Sequence, residues 1–284
     1  MDRRIVQLYD AYTHGGISRR DFLDRLAGLA GSAVAAQAIL PVLQNDYTAD
    51  PRVAESDPRL AAGTVAVPGV EKLQGYLVRP AKGKSWPGVL VVHENRGLNP
   101  HIKDITRRLA LEGFLALGLD YLSPLGGTPA DEDAGRRLMA QVTPEAALAC
   151  GRAALAFLRG HAEGSGRAAA VGFCWGGAAV NALAAQDPLL AAGVAYYGMP
   201  PRTEAVAAIR APLLLHYAGL DDRINAAVPA FEAALKAAGK VYELHHYPGV
   251  HHALNNDTNA ARHDEAAATL AWGRTVAFLR RHLK

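Results

Sequence analysis

From residue 62 onward the chain alternates between two hydrophobic patterns. Short runs that are apolar throughout, such as GVLVVH at 88–93 and AAAVGF at 168–173, read as strands buried on both faces. Between such runs apolar residues recur at helical spacing, as at Ile102, Ile105, Leu109 and Ala110. The pattern predicts a hairpin of 64–67 with 75–78 around Pro68-Gly69. Further strands are expected at 88–93, 114–119, 168–173, 193–197, 213–217 and 242–247. Helices are expected at 102–111, 144–158, 176–185, 228–238 and 270–282. This alternation implies an α/β fold, with an open, mostly parallel sheet covered by helices on both faces. Such sheets bind ligands at the carboxyl ends of their strands.

The first 44 residues follow another pattern. SRRDFL at 18–23 is similar to a twin-arginine export signal, and a mildly apolar stretch rich in Ala and Gly follows at 26–43. Within it, AVAAQA at 33–38 offers the small residues a signal peptidase accepts. This reading places the protein in the periplasm. The same residues also suit an ordinary helix capped by Ser18, with Phe22, Leu26, Leu29 and Ala33 at helical spacing, which leaves the protein cytoplasmic. The stretch is too short and too weakly apolar for a stable membrane span. Residues 45–58 are polar, acidic and proline-bearing and read as a linker. The chain thus divides into an N-terminal helical extension or signal (1–44), a linker (45–61) and one catalytic domain (62–284). Catalysis is expected to survive removal of the first segment.

Half of the 284 residues are hydrophobic, which supports a sizeable core, and the formal net charge is +3. The charges are interspersed, without the clustered cations that phosphate backbones require, so nucleic acid is not an expected partner. The two cysteines, Cys150 and Cys174, form no CxxC or zinc-type spacing, and no metal or cofactor is implied. His245 and His246 are adjacent on a strand and so point to opposite faces. Nothing in the pattern reads out whether the chain forms a homo-oligomer.

Four strands end in chemically capable residues: His93-Glu94-Asn95, then Cys174, then Asp221-Asp222, then His251-His252. The order nucleophile, acid, histidine is that of the α/β-hydrolase triad, with Cys in place of Ser. Cys174 lies in GFCWGG, between an apolar strand and a helix. The glycines suit a strained turn that leaves no room for side chains. The amino end of the helix favours thiolate over thiol, and the Trp175 N–H is placed to donate to an oxyanion. A second donor is expected near Asn95. Spacing after the strand favours Asp221 over Asp222, while Glu94, after a fully apolar strand, must be partnered or perturbed. Cys150, on a helix face, reads as a packing residue.

Together these residues resemble the dienelactone hydrolase family of α/β-hydrolases. The resemblance runs from about residue 62 to the end and is carried by VVHENRGLNPHIKDITRRLALEGFLALGLDYL, GFCWGG, AGLDDRIN and YPGVHHALNND. It implies Cys174 as nucleophile, His252 as base and Asp221 as the acid that orients it. It also implies that Glu94 holds the resting thiol and that the Asn95 and Trp175 N–H groups bind the oxyanion. The implied activity is hydrolysis of a small ester or lactone. The family grips a substrate carboxylate with arginines; one such position is Asn256 here, and Arg136 and Arg137 are only loose candidates for the other. A reactive thiol with a redox-sensing, non-catalytic role is the alternative.

Overall fold

The computed structural model describes residues 1–284. Eight strands form one sheet in the order β1-β2-β4-β3-β5-β6-β7-β8. They are β1 (Leu60–Ala66), β2 (Gln74–Pro80), β3 (Trp86–Val92), β4 (Leu115–Asp120), β5 (Gly164–Phe173), β6 (Gly193–Tyr196), β7 (Leu213–Ala218) and β8 (Tyr242–Tyr247). Only β2 runs against its neighbours; β4, β3, β5, β6, β7 and β8 pair parallel.

Unbroken apolar runs form the central strands because both faces are covered. Leu90 and Val92 of β3 pack into one core, with residues such as Leu155 and Leu183, and Val89 and Val91 pack into another, with Ile105 and Phe278. The first face carries α6 (Pro144–Gly160), α7 (Trp175–Gln186) and α9 (Val228–Ala237). The second carries α4 (Pro100–Leu111) and α10 (Glu265–His282). The strands and helices expected from the hydrophobic pattern are present, with ends shifted by a few residues. The largest shift is in α10, which begins at Glu265 because Asp264 caps it by accepting from the Ala267 N–H.

The N-terminal segment differs more. It forms three helices, α1 (Arg3–Thr13), α2 (Arg19–Ala30) and α3 (Ala33–Leu43). Asp2 caps α1, whose Ile5, Val6 and Tyr9 are buried. The expected single helix across 18–33 is cut because Gly31 adopts φ 84° and Ser32 starts a new helix by accepting from Ala35. Ile5, Tyr9, Phe22, Leu26, Ala36 and Leu43 make a small core of their own. No single helix is long and apolar enough to cross a membrane.

This arm is tied to the body by polar contacts. Arg262 pairs with Asp10 at 3.1 Å, the Tyr12 hydroxyl donates to Asp133 at 2.8 Å, and Asn259 donates to the Leu43 carbonyl at 2.7 Å. The stretch read as a linker is held too, since the N–H groups of Arg52 and Val53 donate to Asp104 at 3.1 and 2.9 Å. Two further short α-helices are α5 (Glu132–Met139), inside what the sequence leaves as a loop, and α8 (Asp222–Asn225).

Candidate active site

β5 ends at Phe173 and α7 begins at Trp175, so Cys174 alone makes the turn. Its φ of 56° and ψ of −113° lie where a residue with a Cβ sits at a cost of about 1–3 kcal/mol. The glycines around it permit the close approach. A Cβ on Gly172 would lie 2.1 Å from the Gly176 carbonyl oxygen, and one on Gly176 would lie 2.3 Å from that of Val92. The turn sets Cys174 at the amino end of α7, whose first N–H groups have no intrahelical acceptor. Trp175 contributes the first of them.

The loop after β7 supplies Asp221 and the loop after β8 supplies His252. His252 Nδ1 donates to Asp221 Oδ2 at 2.5 Å, and Asp221 Oδ1 accepts from the Ile224 N–H at 3.3 Å. A carboxylate only accepts, so the neutral ring carries its proton on Nδ1 and leaves Nε2 bare. That Nε2 is buried and has no hydrogen-bond partner within the protein. The adjacent candidates go elsewhere: Asp222 is exposed and meets Arg3 at 3.4 Å, and His251 is half-buried. Burial alone would raise the Cys174 thiol, but positive charge on His252 and His14 outweighs it and lowers the thiol to about 6. Burial likewise disfavours the His252 imidazolium, yet Asp221, Cys174 and Asp10 hold it well above the ordinary histidine range.

Glu94 is buried just beyond β3, in the same small recess as Cys174 and His252. Its carboxylate accepts from Asn256 Nδ2 at 3.0 Å and lies 3.9 Å from Arg96. Asn256, which stands where the family pattern expects an arginine, thus anchors Glu94. The hydrogen-bond partner of the thiol is instead His14, whose Nε2 lies 3.3 Å from Sγ. Asn95 Nδ2 donates to the Thr13 carbonyl at 2.8 Å. His93 is occupied structurally: Nδ1 donates to the Glu94 carbonyl at 2.6 Å, Nε2 accepts from the Tyr121 N–H at 3.3 Å, and the ring stacks on Trp175.

A cavity of about 760 Å³ leads from the surface to Cys174. Its walls come from the body (Trp175, Tyr197, Met199) and from the arm (Tyr12, His14, Ile17). Tyr197 packs its ring on His252 at 4.8 Å and buries a hydroxyl with no partner. Arg136 and Arg137 both line the cavity, but Arg136 is committed to Asp133 at 2.6 Å and to the Tyr12 carbonyl at 2.9 Å. Arg137 is exposed at the rim, as is Arg223.

The sequence reading missed His14, Thr13 and Asp10. The pattern Ile5, Tyr9, Tyr12 marks a helix, and a histidine ends it, but nothing local says where that helix docks. His14, Cys174 and His252 offer ligating atoms within 4.8 Å of one another, and Asp10, Asp221 and His252 do the same. One sulfur and two imidazole nitrogens are the donor chemistry of a zinc site. His14 Nε2 and Cys174 Sγ are paired with each other at 3.3 Å, and His252 Nδ1 is paired with Asp221 at 2.5 Å.

Residues 73–283 match the model of the dienelactone hydrolase family, and residues 1–31 match a second model, described as YqhI-like. The chain is 33% identical over 241 residues to a "Putative carboxymethylenebutenolidase" of Methylorubrum extorquens, which covers 78% of this chain and 82% of that one. It is 46% identical over 114 residues to "Putative hydrolase fragment YghX" of Escherichia coli, 38% of this chain and 97% of that one. The crystal structure of a "Putative Dienelactone Hydrolase" from Klebsiella pneumoniae superposes with a TM-score of 0.71 at 30% identity, over 78% of this chain and 98% of the other. The sheet and its covering helices are those of the α/β-hydrolase fold.

Proposed function

Because this chain belongs to the dienelactone hydrolase family, we propose that it hydrolyses small carboxylic esters or lactones through an acyl-enzyme on Cys174. The observation that carries the reading is the convergence of the Cys174 turn with the buried His252–Asp221 pair at the floor of an open cavity. The thiolate attacks the carbonyl carbon, and the oxyanion rests on the N–H groups of Trp175 and Asn95. A protonated imidazole gives its proton to the leaving alkoxide. His252 then takes a proton from water, whose oxygen attacks the thioester and restores the thiolate. Asp221 keeps the His252 ring in the tautomer that this requires.

The substrate enters past exposed arginines, and Arg137, free of the pairing that holds Arg136, supports an anionic group on the substrate. The test is turnover of p-nitrophenyl acetate with mass analysis of the peptide carrying Cys174. An acetyl group on Cys174 during turnover, with both lost in Cys174→Ala, is the expected result. Turnover by Cys174→Ala equal to that of the parent would overturn the reading. A thiol that acylates without turning over would favour the redox-sensing alternative.

A further inference from the structure

The arm reaches the sulfur with a charge pair of its own. His14 follows α1, and its Nδ1 lies 2.8 Å from the Asp10 carbonyl oxygen. A carbonyl only accepts, so Nδ1 carries the proton and the neutral ring presents a bare Nε2 to Cys174 Sγ, 3.3 Å away. The Asp10 carboxylate lies 4.0 Å from Nδ1. Burial opposes its ionisation, but His252, Arg262, His14 and Arg223 outweigh burial and hold Asp10 at about 2, so it is an anion throughout the neutral range. His14–Asp10 therefore resembles His252–Asp221, except that a backbone carbonyl fixes the tautomer and the carboxylate lies farther off. The two imidazoles meet edge to face with centroids 4.8 Å apart.

We propose that His14 is a catalytic residue: the base that takes the Cys174 proton in the resting protein, in the place the family resemblance gives to Glu94. The S–H bond breaks with its electron pair left on sulfur, and the proton bonds to His14 Nε2, giving a thiolate–imidazolium pair. His252, whose Nε2 has no partner within the protein, serves water in the second half of the reaction, after its own proton has gone to the leaving alkoxide. Glu94 Oε2 accepts from Asn256 at 3.0 Å, and no hydrogen bond joins the Glu94 carboxylate to the thiol. The arm is a wall and not a plug, since the cavity still reaches Cys174 with His14 in place. The proposal rests on Cys174 being the nucleophile, but its test uses no ester and so stands apart from that of the hydrolase reading.

Other charges face this pair from every side. The arm gives Asp10, the β7 loop gives Asp221 and Arg223, the β8 loop gives His252 and Arg262, and the β3 loop gives Glu94 and Arg96. The experiment is the pH profile of iodoacetamide alkylation of the full chain, followed on the Cys174 peptide so that Cys150 does not contribute. The parent should reach half its maximal rate near pH 6. His14→Gln, which keeps a polar group but no base, should move the midpoint upward by at least about one unit and slow alkylation at pH 6.5 about tenfold. Glu94→Gln should leave the midpoint within a few tenths of the parent. Coincident profiles for His14→Gln and the parent would overturn the proposal, as would a shift produced by Glu94→Gln in place of His14→Gln. Added imidazole should restore the rate of His14→Gly, which a side chain that only packs would not allow. Absence of rescue, with 19–43 still protected in hydrogen exchange, counts against it equally.

Discussion

Two segments meet at the sulfur of Cys174, and they are built on different principles. The turn at 172–177 is fixed by local sterics. Three backbone atoms within 3.0 Å leave no space for a Cβ at Gly172, and three more leave none at Gly176, so only glycine permits the sharp strand-to-helix reversal. The arm at 3–43 is fixed by docking. Its helices share a core of only six buried residues and are held to the body by Arg262–Asp10, Tyr12–Asp133 and Asn259–Leu43. A rigid turn sets the position of Cys174, while a separately packed segment brings His14 to within 3.3 Å of it. A site assembled in this way has one part that mutation breaks outright and another that it can loosen.

The largest expected effect lies on the body. Asp221→Asn removes the acceptor that fixes the His252 tautomer and should lower ester turnover by about 10³–10⁴-fold, as loss of a triad carboxylate does elsewhere. Asp222→Asn, at an exposed position, should change turnover less than about twofold. Equal losses in steady-state kinetics would show that the wrong aspartate has been assigned.

The next effect loosens the arm. Phe22 is fully buried between Tyr9 and Tyr12, with the Tyr12 ring stacked on it at 4.7 Å. Phe22→Ala should cost the arm about 3–5 kcal/mol. Hydrogen exchange should then quicken throughout 3–43 while the sheet keeps its protection. Uniform loss of protection would mean that arm and body unfold as one unit.

Glycine substitutions sharpen the contrast at smaller amplitude. Gly176→Ala forces a Cβ to within 2.3 Å of the Val92 carbonyl oxygen and should destabilise the chain by about 1–3 kcal/mol or more in urea unfolding. Gly28→Ala, in the interior of α2 with nothing within 4 Å of the new Cβ, should stabilise the arm by about 0.5–1 kcal/mol. A neutral Gly176→Ala would remove the steric account of the turn.

Much of this was legible along the chain. The all-apolar runs at 88–93 and 168–173 and the helical spacing of Ile102, Ile105 and Leu109 define a doubly covered parallel sheet, because each pattern has only one way to bury itself. The turn around Cys174 was legible because its constraint is local. The choice of Asp221 over Asp222 also follows from spacing after a strand. What the pattern left open was the partner of each group once the chain has folded. Gly31-Ser32 splits the N-terminal apolar stretch, and the two halves then bury their apolar faces in the arm's own core. Asn256, which reads as a lost arginine, is found holding Glu94.

Sequence by itself therefore determined the strands, the chain order of Cys174, Asp221 and His252 at their ends, and the sharp turn that presents Cys174. Those depend on side-chain period and on close contacts such as that of Gly172 with the Gly176 carbonyl a few residues on. Only the tertiary structure decided that His14 faces Cys174 across 160 positions of sequence, and that Glu94 faces Asn256 across 162. Hydrogen bonds and charge pairs act over a few ångströms in space and carry no signature along the chain, so which base lies beside the thiol is settled by docking.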